Sequence, residues 1–263
     1  MATYLDRIVA AHREAAADDW RPLGRLLDEA GSQPPTRGFT AALRAAEGLA
    51  VIAEVKRRSP SKGELLAGLD PAEVAGAYAR GGATCLSVLT DREFFGGSPD
   101  DLSAAREAVE VPVLRKDFTV TPADVCDART MGADCVLLIV AALDDAELAD
   151  LHALAGEVGL DALVEVHDER EVERALSVGA DLVGVNQRDL ESFEVDASRA
   201  ARVVREIPGS VVRVAESGIR GPGDARALAG AGFDAILVGE SLVTSGDPEA
   251  AVAALRGARR PEA

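Results

Sequence analysis

The chain predicts an α/β fold, a (β/α)8 TIM barrel with an N-terminal helical extension, and three observations carry that prediction. Short apolar or β-branched runs alternate strictly with amphipathic segments, which gives a parallel sheet covered by helices. A Gly-Ala-Asp triplet or a close variant opens every second run, at Gly82-Ala-Thr, Gly132-Ala-Asp, Gly179-Ala-Asp and Gly232-Phe-Asp, at a spacing of about fifty residues. Eight such strand–helix units in 263 residues match the size of a barrel of this type.

The elements follow in order. Residues 1–48 carry an amphipathic pattern (Tyr4, Leu5, Ile8, Val9) and a break at Pro34-Pro35, and are expected as helices lying across one end of the barrel, within a single domain spanning 1–263. The first strand, Val51–Val55, is the most informative segment. Residues two apart in a strand face the same way, so Val51, Ala53 and Val55 form one apolar face while Ile52, Glu54 and Lys56 share the other. A carboxylate and an ammonium on so hydrophobic a strand are costly unless they lie at an open end. The remaining strands are read at Gly82–Leu89, Val111–Leu114, Gly132–Ile139, Ala162–Val166, Gly179–Val185, Val211–Ala215 and Gly232–Val238. Helices are read at Pro71–Arg80, Asp101–Ala108, Pro122–Met131, Asp144–Val158, Asp168–Ser177, Asp196–Glu206, Gly221–Ala229 and Pro248–Arg256, several opening with Asp or Pro as helix starts do.

A net charge of -17 argues against nucleic-acid and anionic-membrane partners. No run of about 18 apolar residues suggests a membrane span, and the N-terminal residues lack the layout of a signal peptide. Cys85, Cys126 and Cys135 are odd in number and widely spaced, which fits a reducing cytoplasm, with Cys85 and Cys135 as small core fillers. A monomer or a weak homo-oligomer is expected. There are three lysines, Lys56, Lys62 and Lys116, and two of them stand at strand ends.

In a parallel barrel the chemistry lies where the strands end. Those ends supply Glu54 and Lys56, then Ser59; Phe95 in the second loop; Lys116 and Phe118; Glu165; Asn186 and Arg188; Glu216, Ser217 and Gly218; and Gly239 and Glu240. Lys116 and Glu165 share the inward parity of Leu114 and Leu163, while a strand-end Glu or Lys taken alone could equally be a solvated group. Ser217-Gly218 and Gly239-Glu240 form glycine loops after the last two strands, where backbone N–H groups can approach a phosphate; ordinary tight turns are the competing reading. His167 is expected at the solvent-facing start of a helix, and His12 and His152 on the surface. No His, Cys and carboxylate set has metal-ligand spacing and no GxGxxG follows a strand, so neither a metal nor a dinucleotide is expected.

Ile52-Ala-Glu-Val-Lys-Arg-Arg-Ser-Pro-Ser-Lys-Gly63 resembles the signature of the indole-3-glycerol phosphate synthase family. Seven further blocks resemble the family in order: Ser87-Val-Leu-Thr-Asp with Phe95-Gly-Gly-Ser98, Leu114-Arg-Lys-Asp-Phe118, Asp134 with Leu137-Leu-Ile139, Leu163-Val-Glu-Val166, Gly184-Val-Asn-Gln-Arg-Asp-Leu190, Ala215-Glu-Ser-Gly-Ile219 and Val238-Gly-Glu-Ser-Leu242. The resemblance implies ring closure with loss of carbon dioxide and water on a small sugar-phosphate substrate, 1-(2-carboxyphenylamino)-1-deoxyribulose 5-phosphate. It implies Lys116 as general acid, Glu165 as the acid/base of the dehydration and Lys56 as the partner of a substrate anion. It further implies that Glu54 and Asn186 orient the sugar hydroxyls, that Ser217, Gly218, Gly239 and Glu240 hold phosphate, and that Phe95 and Phe118 contact the anthranilate ring. Some family members carry Ser where this chain has Glu240, so Glu240 is expected to act through its backbone.

Physical logic runs alongside the resemblance. A buried ammonium near a carboxylate can be tuned toward neutral pH to deliver a proton. No cofactor is expected, because the iminium-like intermediate is its own electron sink. Two other readings stay open at this level: a different phosphate-binding barrel enzyme such as a phosphoribosylanthranilate isomerase, and a non-catalytic barrel scaffold. The isomerase chemistry commonly uses Cys and Asp where this chain has Glu54, Lys56 and Asn186, and a scaffold has no need of lysines at two strand ends beside a phosphate loop.

Overall fold

The computed structural model describes residues 3–59, 63–66, 68–188 and 195–257. Eight parallel strands close into a barrel: β1 Ala50–Val55, β2 Cys85–Leu89, β3 Val113–Lys116, β4 Cys135–Ile139, β5 Asp161–Val166, β6 Leu182–Asn186, β7 Val212–Glu216 and β8 Ala235–Val238, with β8 pairing back onto β1. Before β1 stand α1 Tyr4–Ala17, α2 Leu23–Gly31 and α3 Phe39–Ala45. The outer ring is α4 Pro71–Arg80, α5 Pro99–Ala108, α6 Pro122–Thr130, α7 Asp145–Glu157, α8 Glu169–Ser177, α9 Ala197–Val203, α10 Pro222–Ala231 and α12 Pro248–Arg256, with the one-turn α11 Glu240–Val243 in the last loop.

The expected strands and helices appear at these places, with local shifts that have causes. The third strand starts at Val113 rather than Val111, because Pro112 has no N–H to give to a ladder. Helix α5 starts at Pro99, two residues earlier than read, because the Ser98 side chain accepts from the Asp101 N–H and caps the helix there. Beyond α9 the last turn tightens into a 3-10 turn over Val204–Glu206. A two-residue pairing in the first loop, Arg58–Ser59 with Gly63–Glu64, was not read from the sequence.

Strand parity builds two cores. Val51, Ala53 and Val55 pack outward against the helices with Val136, Leu138, Val164 and Val185. Ile52 packs inside the barrel with Leu114, Cys135, Leu137, Leu163 and Leu182. Phe39 and Leu43 of α3 join that inner cluster and close the N-terminal end of the barrel. Helix α1 lies at the opposite end, where Tyr4, Leu5 and Ile8 line the mouth. The extension was expected across one end; its first and third helices instead cover both, because each presents one apolar stripe to a different opening.

The Asp of the repeated triplet has a structural task at the closed end. Asp134 is fully buried and accepts from the backbone N–H groups of Arg37 and Val113, both at 2.8 Å, and from Arg106 Nη1 at 2.6 Å. Asp234 accepts likewise from Arg213 N at 2.9 Å, and Thr84, in the same place in the first repeat, from Val51 N at 3.4 Å. Each side chain ties the start of one strand to its neighbour, so the repeat marks the barrel's stable face.

Candidate active site

At the strand C-termini a cavity of about 720 Å³ opens between the loops, within the range for small-molecule sites. Its floor is charged. Lys116, one residue pair beyond Leu114, turns inward at the end of β3, and its Nζ lies 3.4 Å from Glu165 Oε2 on β5. Glu54 Oε2 on β1 meets Lys56 Nζ, just past the end of that strand, at 2.5 Å. Asn186 Nδ2 donates to Glu165 Oε1 at 3.1 Å, and Asn186 Oδ1 accepts from the Arg188 N–H.

Burial of Lys116 favours its neutral amine, but Glu165, Glu216 and Glu54 together outweigh that, and its pKa is raised. The expectation of an ammonium tuned toward neutral pH is therefore corrected: the carboxylate charge facing the cation, led by Glu165, holds the proton on. The ammonium form is favoured in the free site, so the acid stands ready to give its proton to a forming alkoxide.

Glu165 and Glu216 are both buried, and each shifts the other's proton affinity. Desolvation pushes Glu165 up, but Lys116, His167, a bond from Asn186 and the neighbouring Glu216 bring it below the usual carboxylate range. Glu216 is pushed well above that range, first by desolvation and then by the Glu165 charge. Two carboxyls this close share one proton, and it sits on Glu216. Glu216, the last residue of β7, lines the cavity directly before Ser217 and Gly218. Gly184 makes room for it, since a Cβ there would sit 2.1 Å from Glu216 Oε1.

The last two loops meet on the far side. Ser217 has φ 68° and Gly218 φ 72°, and a serine held in the left-handed region is a strained residue at a site. Gln187 Nε2 donates to the Ser217 carbonyl at 2.8 Å, and Ser241 Oγ to the Ile219 carbonyl at 2.8 Å, so the two loops are braced. Gly239 lies against the floor: a Cβ there would be 2.4 Å from Glu54 Oε2 and 3.1 Å from Lys56 Nζ. Glu240, Arg188 and Arg220 line the same side. On the opposite wall Phe95 and Phe118 face each other at 6.2 Å between ring centroids, beside Leu5 and Ile8. Ser59 stands in the short pairing of the first loop; its side chain lies outside the described residues, as do Pro60, Ser61 and Lys62.

Two histidines differ from expectation. His12, read as a surface group, is only 19% exposed: its Nε2 lies 3.0 Å from Asp91 Oδ2 and 3.8 Å from Asp117 Oδ1, and its ring centroid is 5.4 Å from that of Phe118. His12, Asp91 and Asp117 are also close enough together to hold a cation. Their oxygens are already engaged, however. Asp91 Oδ1 accepts from Phe94 N and Phe95 N, and Asp117 from Phe118 N, Thr90 Oγ1 and Arg115. The cluster is a clasp between α1 and the loops that carry both phenylalanines. His167, read as solvent-facing, lies behind Glu165 with 12% of its side chain exposed. Its parity with Glu165 along the strand was the available signal.

Fold and mouth together define a barrel with an acid–base floor, a braced glycine loop pair and an aromatic wall. The family model described as indole-3-glycerol phosphate synthase matches residues 5–255. A protein of that name from Mycolicibacterium smegmatis is 52% identical over 256 residues, covering 97% of this chain and 94% of the relative. Indole-3-glycerol phosphate synthase 2 of Streptomyces coelicolor is 54% identical over 237 residues, covering 90% and 92%. Among solved structures, a thiamine phosphate pyrophosphorylase from Pyrococcus furiosus superposes with a TM-score of 0.61 at 19% identity, covering 79% of this chain and 94% of that one, a likeness of fold alone. The chain belongs to the indole-3-glycerol phosphate synthase family.

Proposed function

We propose that this protein is an indole-3-glycerol phosphate synthase, a carboxy-lyase that converts 1-(2-carboxyphenylamino)-1-deoxyribulose 5-phosphate to indole-3-glycerol phosphate, carbon dioxide and water. Family membership supports the activity, and the observation that carries the residue roles is a loaded Lys116 ammonium facing an ionised Glu165 across the barrel mouth. The phosphate lies against the loops of Ser217, Gly218, Gly239 and Glu240, and the anthranilate ring between Phe95, Phe118 and α1. The ring carbon attacks the carbonyl carbon while Lys116 protonates the carbonyl oxygen. Loss of carbon dioxide restores the aromatic ring, and the hydroxyl then departs as water with Glu165 handling the proton. Lys56 pairs with a substrate anion, and Glu54 and Asn186 orient the hydroxyls and stabilise the cationic intermediate. The apolar wall favours decarboxylation by desolvating the carboxylate.

The three cysteines are free and buried, which supports a reducing compartment such as the cytoplasm. No helix among the described residues is long and apolar enough to cross a membrane. The test is turnover: purified protein with the carboxyphenylamino substrate should yield equal amounts of carbon dioxide and indole product. Isomerisation of phosphoribosylanthranilate with no such products would overturn the reading.

A further inference from the structure

The proposed reaction takes up one proton per turnover, because a substrate carboxylate leaves as neutral carbon dioxide. Two oxygen protonations are needed, one at ring closure and one as the hydroxyl departs. Lys116 supplies the first. Glu165 is ionised in the resting site, so it can act as the acid of the second only if something hands it a proton.

Glu216 holds a proton beside it, but giving that up would leave two buried carboxylates ionised against each other once the hydroxyl has gone; the other group in place is His167. Its Nε2 lies 3.6 Å from Glu165 Oε1, and Glu165 lines the cavity where His167 does not. That nitrogen is buried and has no hydrogen-bond partner, and an orphaned buried nitrogen calls for a reason. A movement of about half an ångström would close the bond to Glu165. The other face of the ring is fixed: Nδ1 lies 3.1 Å from Glu171 Oε2, which also accepts the His167 backbone N–H at 2.7 Å. Asp168 Oδ1 in turn accepts from the Glu171 N–H and holds the first turn of α8. Burial alone would favour the neutral ring. The facing carboxylates Glu171 and Glu165 outweigh it against the repulsion of Arg199, so the imidazolium is favoured.

We propose that His167 is a positioning residue that holds in reserve the proton the reaction takes up and passes it through Glu165 to the departing hydroxyl. The inference rests on the reading of Lys116 and Glu165 given above. The imidazolium Nε2–H goes to Glu165, the Glu165 proton goes to the hydroxyl, and water leaves. The carbon-bound proton lost as the indole forms goes to the Lys116 amine and restores the ammonium. The neutral ring is reprotonated from water once product has left, so one proton is consumed and nothing is oxidised or reduced.

The test follows carbon dioxide and indole separately in a single turnover of His167→Gln, which keeps a polar side chain but cannot titrate. Carbon dioxide should appear at the wild-type rate while indole formation slows by about a hundredfold, the low end of what losing an acid costs. Glu165→Gln should show the same split, and the double variant should be no slower than Glu165→Gln alone. If His167→Gln slows both products equally, or neither, while Glu165→Gln shows the split, the reserve role is wrong and the Glu165 reading stands. If Glu165→Gln shows no split, both fall. Should His167→Gln lose its fold, as reported by its melting temperature, His167→Asn gives the same comparison.

Discussion

The two ends of this barrel both bury carboxylates, and they use them in opposite ways. At the closed end Asp134 is surrounded by donors: two backbone N–H groups and a guanidinium satisfy it. At the open end Glu165 and Glu216 are buried against each other, Glu216 leaves Oε1 without a partner, and one ammonium serves the group. Satisfied buried charge holds strands together, whereas under-compensated charge destabilises the fold and keeps proton affinities shifted for chemistry. The residues that differ are two positions apart on the same strands: Leu114 and Leu163 pack the interior, and Lys116 and Glu165 form the floor.

Four changes would break or sharpen that contrast. The largest effect is expected from Lys116→Ala, which removes the acid at the open end: kcat should fall on the order of 10²–10⁴-fold while circular dichroism stays native-like. Near-normal turnover in the folded variant would remove Lys116 from the mechanism. Asp134→Ala at the closed end should do the reverse. It strands two buried N–H groups and Arg106, and should cost about 3–5 kcal/mol in denaturant unfolding, with kcat per folded molecule close to wild type. A large fall in kcat with unchanged stability would erase the distinction between the ends.

Glu216→Gln addresses the cost of the open end. A carboxyl whose pKa is raised by folding gives its full stability below the unfolded carboxyl range and loses it as pH rises toward the folded value. Gln does not titrate, so the melting temperature of the variant relative to wild type should climb steadily from pH 5 to pH 8. A flat difference would mean that Glu216 is not protonated in the fold. The smallest effect concerns the clasp. Burial opposes the His12 cation, but bonding to Asp91 and the charge of Asp117 raise its pKa, so its contribution is complete below the ordinary imidazole range and fades as pH rises through the folded value. His12→Ala should lose about 0.5–1 kcal/mol at pH 5.5 and less at pH 9, measured by urea unfolding at both. An equal loss at both pH values would assign His12 a packing role only.

Most of the barrel was legible because parallel strands and their helices announce themselves locally. The period-2 face of Val51, Ala53 and Val55, the Gly-Ala-Asp starts and the Asp and Pro caps each need no tertiary information. The inward parity of Lys116 and Glu165 was legible for the same reason. What escaped depends on distance across the chain. His12 meets Asp91 79 residues away, and the sharing of a proton between Glu165 and Glu216 depends on strands β5 and β7 both flanking β6. The direction of the Lys116 shift required a count of the carboxyls that converge on it, which strand-by-strand reading cannot supply.

The most direct test of the central claim is Glu165→Gln, measured at once for stability and turnover. Because the carboxyl pair carries one charge, removing it from Glu165 lets Glu216 ionise and pair with Lys116, so the melting temperature at pH 8 should stay within a few degrees of wild type, the shift expected of about 1 kcal/mol. Indole formation should nevertheless fall at least about a hundredfold, since Glu165, held by Asn186 beside Lys116, stands in the acid's place and a Gln there cannot carry a proton. A variant that melts normally and turns over within about threefold of wild type, less than 1 kcal/mol of barrier, would contradict the account.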